Sequence, residues 1–407
     1  MDVAMKRPIR VLAADDSAVM RGILRTLFAM HEEGHWRDLP KMELCGIVED
    51  GVECLAAVLR LRPDVVVLDL EMPRMHGLDV LERLNREEPG LPAIMCSSYT
   101  EVGARMTLDA LALGAADYVM KPVQQSDFKA AMETLAGQLL PKIAALDARA
   151  QGSRLTGEAG PGKPAAGAVS GHAAAPVEIV VIGVSTGGPS ALEAVLPRLA
   201  RDFPVPVMIV QHMPKLFTGA LAERLDRCCA LQVQEAQDGS ELRAGTIWLA
   251  PGDAHMEIAE VHGSVAAAAV ARIPRCMVRL HQQRSLNHCK PSVDYLFTSA
   301  ATIYGAGTLA LVMTGMGADG LTGARRVHEA GGVVLTQDAA TSAVWGMPGR
   351  VFQAGISREP LPLSKLADEL TSRVNAARSG PRPRRTMAAP RRNDTSAGPY
   401  EVMHELL

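Results

Sequence analysis

The hydrophobic and polar positions divide the chain into two segments in which short apolar runs alternate with amphipathic stretches. In the first segment, a helix is predicted over Ser17–Met30, and strands are predicted at Arg10–Ala14, Val65–Leu68, Ala93–Cys96 and Asp117–Met120. In the second segment, the clearest strands are Ile179–Val184, Val205–Val210, Thr246–Ala250, Thr308–Met313 and Val333–Thr336. Strands that alternate with helices are typical of parallel sheets covered by helices on both faces. The pattern therefore predicts an α/β protein with two doubly wound parallel-sheet domains.

The regions that flank the second segment have a different character. One more helix is predicted over Lys129–Ala150, and Gln151–Pro176 is rich in Gly, Ala, Pro and Ser, which predicts a flexible linker. The chain after Arg378 carries arginines among prolines and polar residues, which predicts a disordered tail. The expected organisation is one α/β domain over 8–128, the helix and linker over 129–176, a second α/β domain over 177–376, and the tail over 377–407.

The composition disfavours several classes of protein. A hydrophobic content of 48% and a net charge of −3 are typical of a soluble globular protein and argue against a nucleic-acid partner, which needs a strongly basic surface. The seven cysteines include no C-x-x-C pair, which favours a reducing compartment over a disulfide framework or a zinc site. The N-terminus lacks the pattern of a signal peptide, and no apolar run reaches the roughly 18 residues of a membrane span. We therefore expect a cytoplasmic protein without membrane insertion.

Polar residues follow the predicted strands of the first segment. Asp15 and Asp16 come after the first strand, and Asp69, Ser97 and Lys121 each come after a later one. Because ligands of open parallel sheets bind beyond the carboxyl ends of the strands, these side chains are expected to share a site. Clustered carboxylates repel one another and favour a cation such as Mg²⁺, which prefers carboxylate oxygens. The pattern predicts that Asp69 accepts a phosphoryl group whose oxygens contact Lys121 and Ser97, although any single Asp could equally be a helix N-cap.

The second segment opens with the strand IVVIGV and the glycine-rich turn STGG. A dinucleotide-binding loop would need G-x-G-x-x-G and an acid at the end of the next strand, but that strand ends in a glutamine and His212. The alternative is a G-x-S-x-G nucleophile loop that exposes Ser185 above the sheet. His212 would then be the general base, and Asp319, in the loop after TLALVM, would orient it. The chain order Ser, His, Asp differs from that of the α/β-hydrolases.

The G-x-S-x-G pattern alone is a weak signal, because it is often a structural turn. His255 and His281 are other histidines that could be ligands or core residues. The position of the triad candidates at three strand ends favours a serine hydrolase without settling the question.

The motifs LAADDSAVMR, VVVLDLEMPRMHGLDVLERL and DYVMKP closely resemble the response-regulator receiver domain. The resemblance implies a flavodoxin-like fold, a histidine kinase as phosphodonor, and Mg²⁺ as cofactor. It also implies specific roles for residues of this chain: metal binding by Asp15, Asp16, Asp69 and the carbonyl of Glu71, phosphorylation of Asp69, and a phosphate switch formed by Ser97, Lys121 and Tyr118.

The motifs IGVSTGGPSAL, IVQHMPKLFTGALAERL, WLAPGDAHM, KPSVDYLF, VMTGMGADGLTGA and TQDAATSAVWGMPG closely resemble the catalytic domain of the CheB family of chemotaxis methylesterases. The resemblance implies a Rossmann-like domain without a cofactor in the esterase site. It implies demethylation of glutamyl methyl esters and deamidation of glutamines on methyl-accepting chemoreceptors. The implied roles are nucleophile for Ser185, base for His212 and orienting acid for Asp319, with an oxyanion contact from the amide of Met316 and assistance from Thr186.

Two other functions compete with this interpretation. A non-catalytic signalling module would use the second domain only to bind a partner, which the complete set of triad candidates disfavours. A DNA-binding response regulator is disfavoured because the second segment lacks a compact basic helix-turn-helix pattern. For regulation, we expect that the unphosphorylated receiver packs across the mouth of the Ser185 site and that phosphorylation loosens this contact.

Overall fold

The first domain is built around strands whose apolar side chains are covered on both faces. The computed structural model describes residues 7–122, 128–155, 175–261 and 275–376. The first parallel sheet has the order β2-β1-β3-β4-β5, with the strands β1 Ile9–Ala14, β2 Met42–Val48, β3 Val65–Asp69, β4 Ala93–Ser97 and β5 Asp117–Met120. The helices around it are α1 Ala18–Glu32, α2 Gly51–Leu61, α3 Gly77–Glu87, α4 Glu101–Ala112 and α5 Phe128–Leu155.

Short polar residues begin the helices that leave this sheet. The Ser17 hydroxyl accepts a hydrogen bond from the Met20 amide at the start of α1, and the Thr100 hydroxyl accepts one from Gly103 at the start of α4. The helix α5 continues through the first residues of the predicted linker. The remainder of that linker, 156–174, and the predicted tail, 377–407, lie outside the described residues, so both stay predictions.

The second domain repeats the same construction on a larger parallel sheet. Its order is β13-β12-β6-β7-β9-β8, with the strands β6 Ile179–Val184, β7 Val207–Gln211, β8 Gln232–Glu235, β9 Thr246–Leu249, β12 Thr308–Val312 and β13 Val333–Thr336. An antiparallel pair that the sequence did not predict, β10 His255–Glu260 and β11 Cys276–His281, lies beside this sheet. The helices are α6 Gly188–Val195, α7 Lys215–Cys228, α8 Val293–Tyr304, α9 Leu321–Glu329, α10 Met347–Gln353 and α11 Leu363–Ala376.

The centre of the second sheet is β6, which lies between β12 and β7 and is buried along its whole length. Its penultimate residue, Gly183, has no room for a β-carbon because the Val293 side chain lies against it. This close approach brings the first turn of α8 onto the carboxyl end of the sheet. The two α/β domains therefore confirm the predicted fold class, and the packing of α8 sets up the site described below.

The two domains contact each other through helices. The helix α4 of the first domain packs on α6 and α7 of the second domain. The Arg224 guanidinium of α7 forms ion pairs with Asp109 of α4, at 2.5 Å, and with Glu193 of α6. The Tyr118 ring stacks on Phe217 of α7 with their centroids 5.0 Å apart. The first domain thus packs on the two helices that follow the strands β6 and β7. Within the described ranges, no helix is both long and apolar enough to cross a membrane.

Candidate active site

Three strand ends bring the predicted triad residues to one edge of the second sheet. Ser185 directly follows β6, and its amide donates to the carbonyl of Thr314, which follows β12. The His212 amide, at the end of β7, donates to the carbonyl of Val184 at 3.1 Å. Ser185 and His212 therefore lie side by side on neighbouring strand ends.

The turn after β6 is held in place by backbone hydrogen bonds. The Ser185 carbonyl accepts from the Gly188 amide at 2.8 Å and from the Gln211 side-chain amide at 3.0 Å. Gly187 has a φ of +73°, in the left-handed region that favours glycine. Here glycine is needed sterically as well, since a β-carbon would collide with Ala343. The glycines that the sequence motif contains are thus explained by the turn and the start of α6.

The His212 ring and the Asp319 carboxylate form a direct pair, with Nε2 and Oδ2 2.8 Å apart. Asp319 is buried and also accepts hydrogen bonds from the Ser292 hydroxyl and the Val293 amide, both at 2.7 Å. Burial alone would raise the pKa of Asp319, but the hydrogen bonds from His212, Ser292 and Val293 hold that pKa below its usual range. The carboxylate therefore remains charged at neutral pH and can orient the imidazole.

The same pair sets the protonation of the histidine. Burial would lower the pKa of His212, but the hydrogen bonds and charge of Asp319, with a further contribution from Cys289, raise it to about 10. With Nε2 bound to Asp319, Nδ1 is the ring nitrogen that titrates, and only the neutral ring can accept a proton there from a nucleophile. The Sγ atom of Cys289 lies 3.6 Å from Nδ1.

Residues next to Asp319 complete a network that the sequence analysis did not identify. The Asn287 side-chain amide lies 3.1 Å from a carboxylate oxygen of Asp294 and 3.3 Å from one of Asp319. Burial, followed by the charge of Asp319, raises the pKa of Asp294 to about 8. The motif KPSVDYLF contained Ser292 and Asp294, but a serine followed by an acid is also the ordinary start of a helix. Nothing in the sequence indicated that Asn287 or Cys289 would reach the same point.

The other histidine candidates lie in the antiparallel pair beside the sheet. His255 and His281 are cross-strand partners with ring centroids 5.2 Å apart, and both contact the Tyr295 ring. Burial lowers the pKa of His255 to about 4, so its Nδ1 is an acceptor, and it receives the Ser292 amide at 3.1 Å. The contact of His255 is therefore with Ser292, which donates a hydrogen bond to Asp319, and not with His212.

Thr186 follows Ser185 directly, and Met316 follows Gly315, which lies against Ser185. Met316 lies in the turn after β12, between two glycines, with its side chain 36% exposed. Thr186 is buried, and its carbonyl accepts a hydrogen bond from the Thr314 hydroxyl at 2.8 Å. These positions are compatible with the predicted oxyanion and assisting roles, which stay predictions.

The carboxyl edge of the first sheet carries the predicted acidic cluster. Lys121 Nζ lies 2.6 Å from Asp69 Oδ2 and 3.0 Å from Asp15 Oδ2. The carboxylate oxygens of Asp15, Asp16 and Asp69 lie within 4.8 Å of one another. Burial and the charge of Asp15 raise the pKa of Asp69 to about 6, in spite of Lys121. One ammonium leaves this cluster with excess negative charge, and the all-oxygen donor set fits a hard divalent cation.

Glu71, a predicted metal ligand, and Ser97 and Tyr118, two predicted switch residues, complete the set predicted for the first domain. Glu71 lines the same small cleft as Asp69 and Lys121. The buried Ser97 hydroxyl accepts a hydrogen bond from the Thr107 hydroxyl of α4 at 2.6 Å. Tyr118 is buried against Phe217, at the contact with the second domain. Ser97 at the end of β4 thus contacts α4, and Tyr118 of β5 contacts the second domain.

Comparisons with known proteins place both domains in known families. Residues 180–370 match the CheB methylesterase family, and residues 11–133 match the response regulator receiver domain. A protein-glutamate methylesterase/protein-glutamine glutaminase of Trichodesmium erythraeum is 38% identical over 90% of this chain and 99% of the relative. The proteins of that name from a Nocardioides species and from Thermotoga maritima are 42% and 38% identical, over 90% of this chain and 95% and 99% of their own lengths. With its receiver domain and its methylesterase domain in this order, the chain belongs to the CheB family.

Proposed function

We propose that the second domain hydrolyses glutamyl methyl esters, and deamidates glutamines, on methyl-accepting chemoreceptors. The observation that carries the proposal is the 2.8 Å contact between His212 and the buried Asp319, next to Ser185 on the neighbouring strand end. A base oriented by a buried carboxylate beside a serine is the arrangement that activates a hydroxyl nucleophile. The names of the relatives supply the substrate class. We propose that the enzyme acts in the cytoplasm, on cytoplasmic helices of these receptors.

In the proposed reaction, Ser185 Oγ attacks the ester carbonyl while its proton moves to Nδ1 of His212. Asp319 keeps the Nε2 proton fixed and stabilises the imidazolium that forms. Backbone amides, including that of Met316, would bind the oxyanion, and one such donor contributes about 3–4 kcal/mol to the transition state. His212 then returns the proton to the departing methanol, or to ammonia when the substrate is a glutamine. Water then attacks the carbonyl of the acyl-enzyme while His212 accepts its proton. His212 returns that proton to Ser185 Oγ as the glutamate leaves.

For the first domain, we propose that a histidine kinase phosphorylates Asp69 and that Mg²⁺ binds at Asp15, Asp16, Asp69 and the Glu71 carbonyl. The ion would neutralise charge on the transferred phosphoryl group. Lys121 would contact the phosphoryl oxygens. The Ser97 hydroxyl would donate to a phosphoryl oxygen instead of to the carbonyl of Gly103 in α4, now 3.3 Å away, which would change the packing of α4.

We further propose that the unphosphorylated receiver restrains the esterase and that phosphorylation activates it. The contacts of α4 and Tyr118 with α6 and α7 support this proposal, because α6 follows Ser185 and α7 follows His212. A change in the packing of α4 or Tyr118 would therefore reach the helices next to the nucleophile and base.

The test is methanol release from methylated receptors by the full-length protein, with and without a small phosphodonor and Mg²⁺. Phosphodonor should increase the release, and Asp69→Ala should remove both the increase and the phosphoryl label. Asp38→Ala, which changes an exposed acid of the same domain, is the matched control. A label that survives Asp69→Ala would contradict the phosphorylation site, and absence of methanol release under all conditions would contradict the esterase.

A further inference from the structure

Cys289 occupies an unusual position beside the proposed general base. It ends the turn Leu286–Cys289, in which the Cys289 amide donates to the Leu286 carbonyl at 2.7 Å. The central residues of the turn, Asn287 and His288, have φ values of 51° and 61°. The turn directs the half-buried Cys289 thiol towards His212, where Sγ lies 3.6 Å from Nδ1. A thiol, an imidazole and the Asp319 carboxylate therefore meet with their ligand atoms within 4.8 Å of one another.

The separation of sulfur and nitrogen suits a tetrahedral metal ion. Zinc binds an imidazole nitrogen at about 2.0–2.1 Å and a thiolate sulfur at about 2.3 Å, so a tetrahedral angle separates the two ligand atoms by about 3.6 Å. The distance between His212 Nδ1 and Cys289 Sγ is 3.6 Å. A zinc ion can therefore bind both atoms without a change in the distance between the two side chains.

The other side of the imidazole is also arranged as in metal sites. A histidine that binds a metal usually donates its second ring N–H to a carboxylate, which fixes the ring and increases its basicity. His212 Nε2 lies 2.8 Å from Asp319 Oδ2. The Ser292 hydroxyl and the Val293 amide also donate hydrogen bonds to that carboxylate. The same contact that orients His212 for catalysis therefore prepares Nδ1 to bind a metal ion.

We propose that His212 Nδ1 and Cys289 Sγ form a zinc-binding site, with Asp319 orienting the histidine, and that zinc bound there reversibly inhibits the esterase. Binding releases the thiol proton and the proton that the imidazolium carries on Nδ1, since the ligands are a thiolate and a neutral imidazole. The ion then occupies the nitrogen lone pair that would accept the proton of Ser185. The thiolate favours Zn²⁺ over Mg²⁺, which prefers oxygen ligands. With two protein ligands, the remaining positions are left for water, so the site is reversible rather than structural.

The first measurement is metal binding, which does not depend on esterase activity. Full-length protein in excess Mg²⁺, which occupies the acidic cluster of the receiver, is titrated with Co²⁺ and then with Zn²⁺. We expect a sulfur-to-cobalt charge-transfer band that Zn²⁺ removes and that is lost in Cys289→Ala and in His212→Ala. Cys228→Ser, which changes an exposed thiol at the end of α7, should keep the band. A band of full intensity in Cys289→Ala would overturn the proposal by locating the metal at other thiols.

The second measurement is methanol release in buffered free Zn²⁺, with each variant compared with its own zinc-free rate. Zinc should inhibit the wild type, a chelator should restore the rate, and Cys289→Ala should need at least about 10-fold more zinc for the same inhibition. Cys289→Ser replaces the alanine variant if that variant does not fold. Equal zinc sensitivity of the wild type and the Cys289 variant would overturn the proposed inhibition. The inhibition rests on the proposed esterase, so zinc binding through Cys289 without methanol release would support the metal site and refute the esterase.

Discussion

At the carboxyl end of the receiver sheet, buried carboxylates share one ammonium group, whereas at the same end of the esterase sheet a buried carboxylate is surrounded by hydrogen-bond donors. In the receiver, Asp15 and Asp69 both contact Lys121. In the esterase, Asp319 accepts hydrogen bonds from His212, Ser292 and Val293. The pKa of Asp69 is raised and that of Asp319 is lowered, although both residues are buried.

The difference follows from what each site has to do. Buried charge is costly unless it is paired or hydrogen-bonded, so an excess of carboxylates favours binding of an external cation. In the proposed function, a metal ion and a phosphoryl group complete the receiver site, which would therefore act as a switch. The triad carboxylate is satisfied by its own chain, and its electrostatic effect is available before the substrate arrives. Two similar sheets thus produce a responsive site and a preorganised one.

The largest effect should come from removing the nucleophile of the preorganised site. We expect Ser185→Ala to reduce kcat by about 10⁶-fold, the size of effect found when a serine triad loses its nucleophile. Folding should not change, because the backbone contacts of Ser185 hold the turn. Ser364→Ala, at an exposed position of α11, is the control. Methanol release measures the effect and circular dichroism checks the fold; a rate close to that of the wild type would refute the triad.

The orienting acid should come next. We expect Asp319→Asn to reduce kcat by about 10⁴-fold, since an orienting acid contributes less than the nucleophile. It should also move the pH profile. His212 must be neutral to accept a proton, so kcat/KM rises with pH through the pKa of His212, which Asp319 raises to about 10. Without the carboxylate charge, this rise should occur at lower pH. A profile of kcat/KM whose midpoint is unchanged in Asp319→Asn would contradict the assigned pair.

The sequence predicted much of this because strand ends can be located from apolar runs. The predicted strands Asp117–Met120, Ile179–Val184 and Val333–Thr336 have the observed bounds. Since polar residues that follow parallel strands meet at one edge, the neighbouring positions of Ser185 and His212 followed from the pattern.

The rest of the esterase site depends on packing that no local pattern encodes. Ser292 and Asp294 reach the triad because α8 packs against Gly183, a contact between distant parts of the chain, and the turn Leu286–Cys289 brings Cys289 to the same point. In the sequence, Ser292 was indistinguishable from a helix cap, and the structure shows that it serves as one too. The domain contact through Tyr118 and Phe217 likewise joins residues of separate domains.

A smaller effect should follow when one donor to the triad carboxylate is removed. We expect Ser292→Ala to reduce kcat by about 10- to 100-fold, because a hydrogen bond to a charged group contributes about 1.5–3 kcal/mol. The pH midpoint of kcat/KM should also shift as Asp319 loses a donor. Ser299→Ala is the matched control, since Ser299 is a buried serine of the same helix that bonds Leu296 and Ile258 instead. If both variants lower kcat equally, Ser292 acts only through the stability of α8.

The smallest effect should appear at the contact between the two sites. Arg224 joins α7 to Asp109 of the receiver helix α4 and to Glu193 of its own domain. Ion pairs near the surface contribute about 0.2–1 kcal/mol, so Arg224→Ala should raise the methanol release of the unphosphorylated protein about 2- to 5-fold. Asp109→Ala should have a similar effect, and the double variant should add little, because both changes remove the same contact. Arg227→Ala, at an exposed position of α7, should change nothing. A basal rate that falls in Arg224→Ala and Asp109→Ala would mean that the receiver supports the esterase rather than restrains it, since loosening the contact would then cost activity.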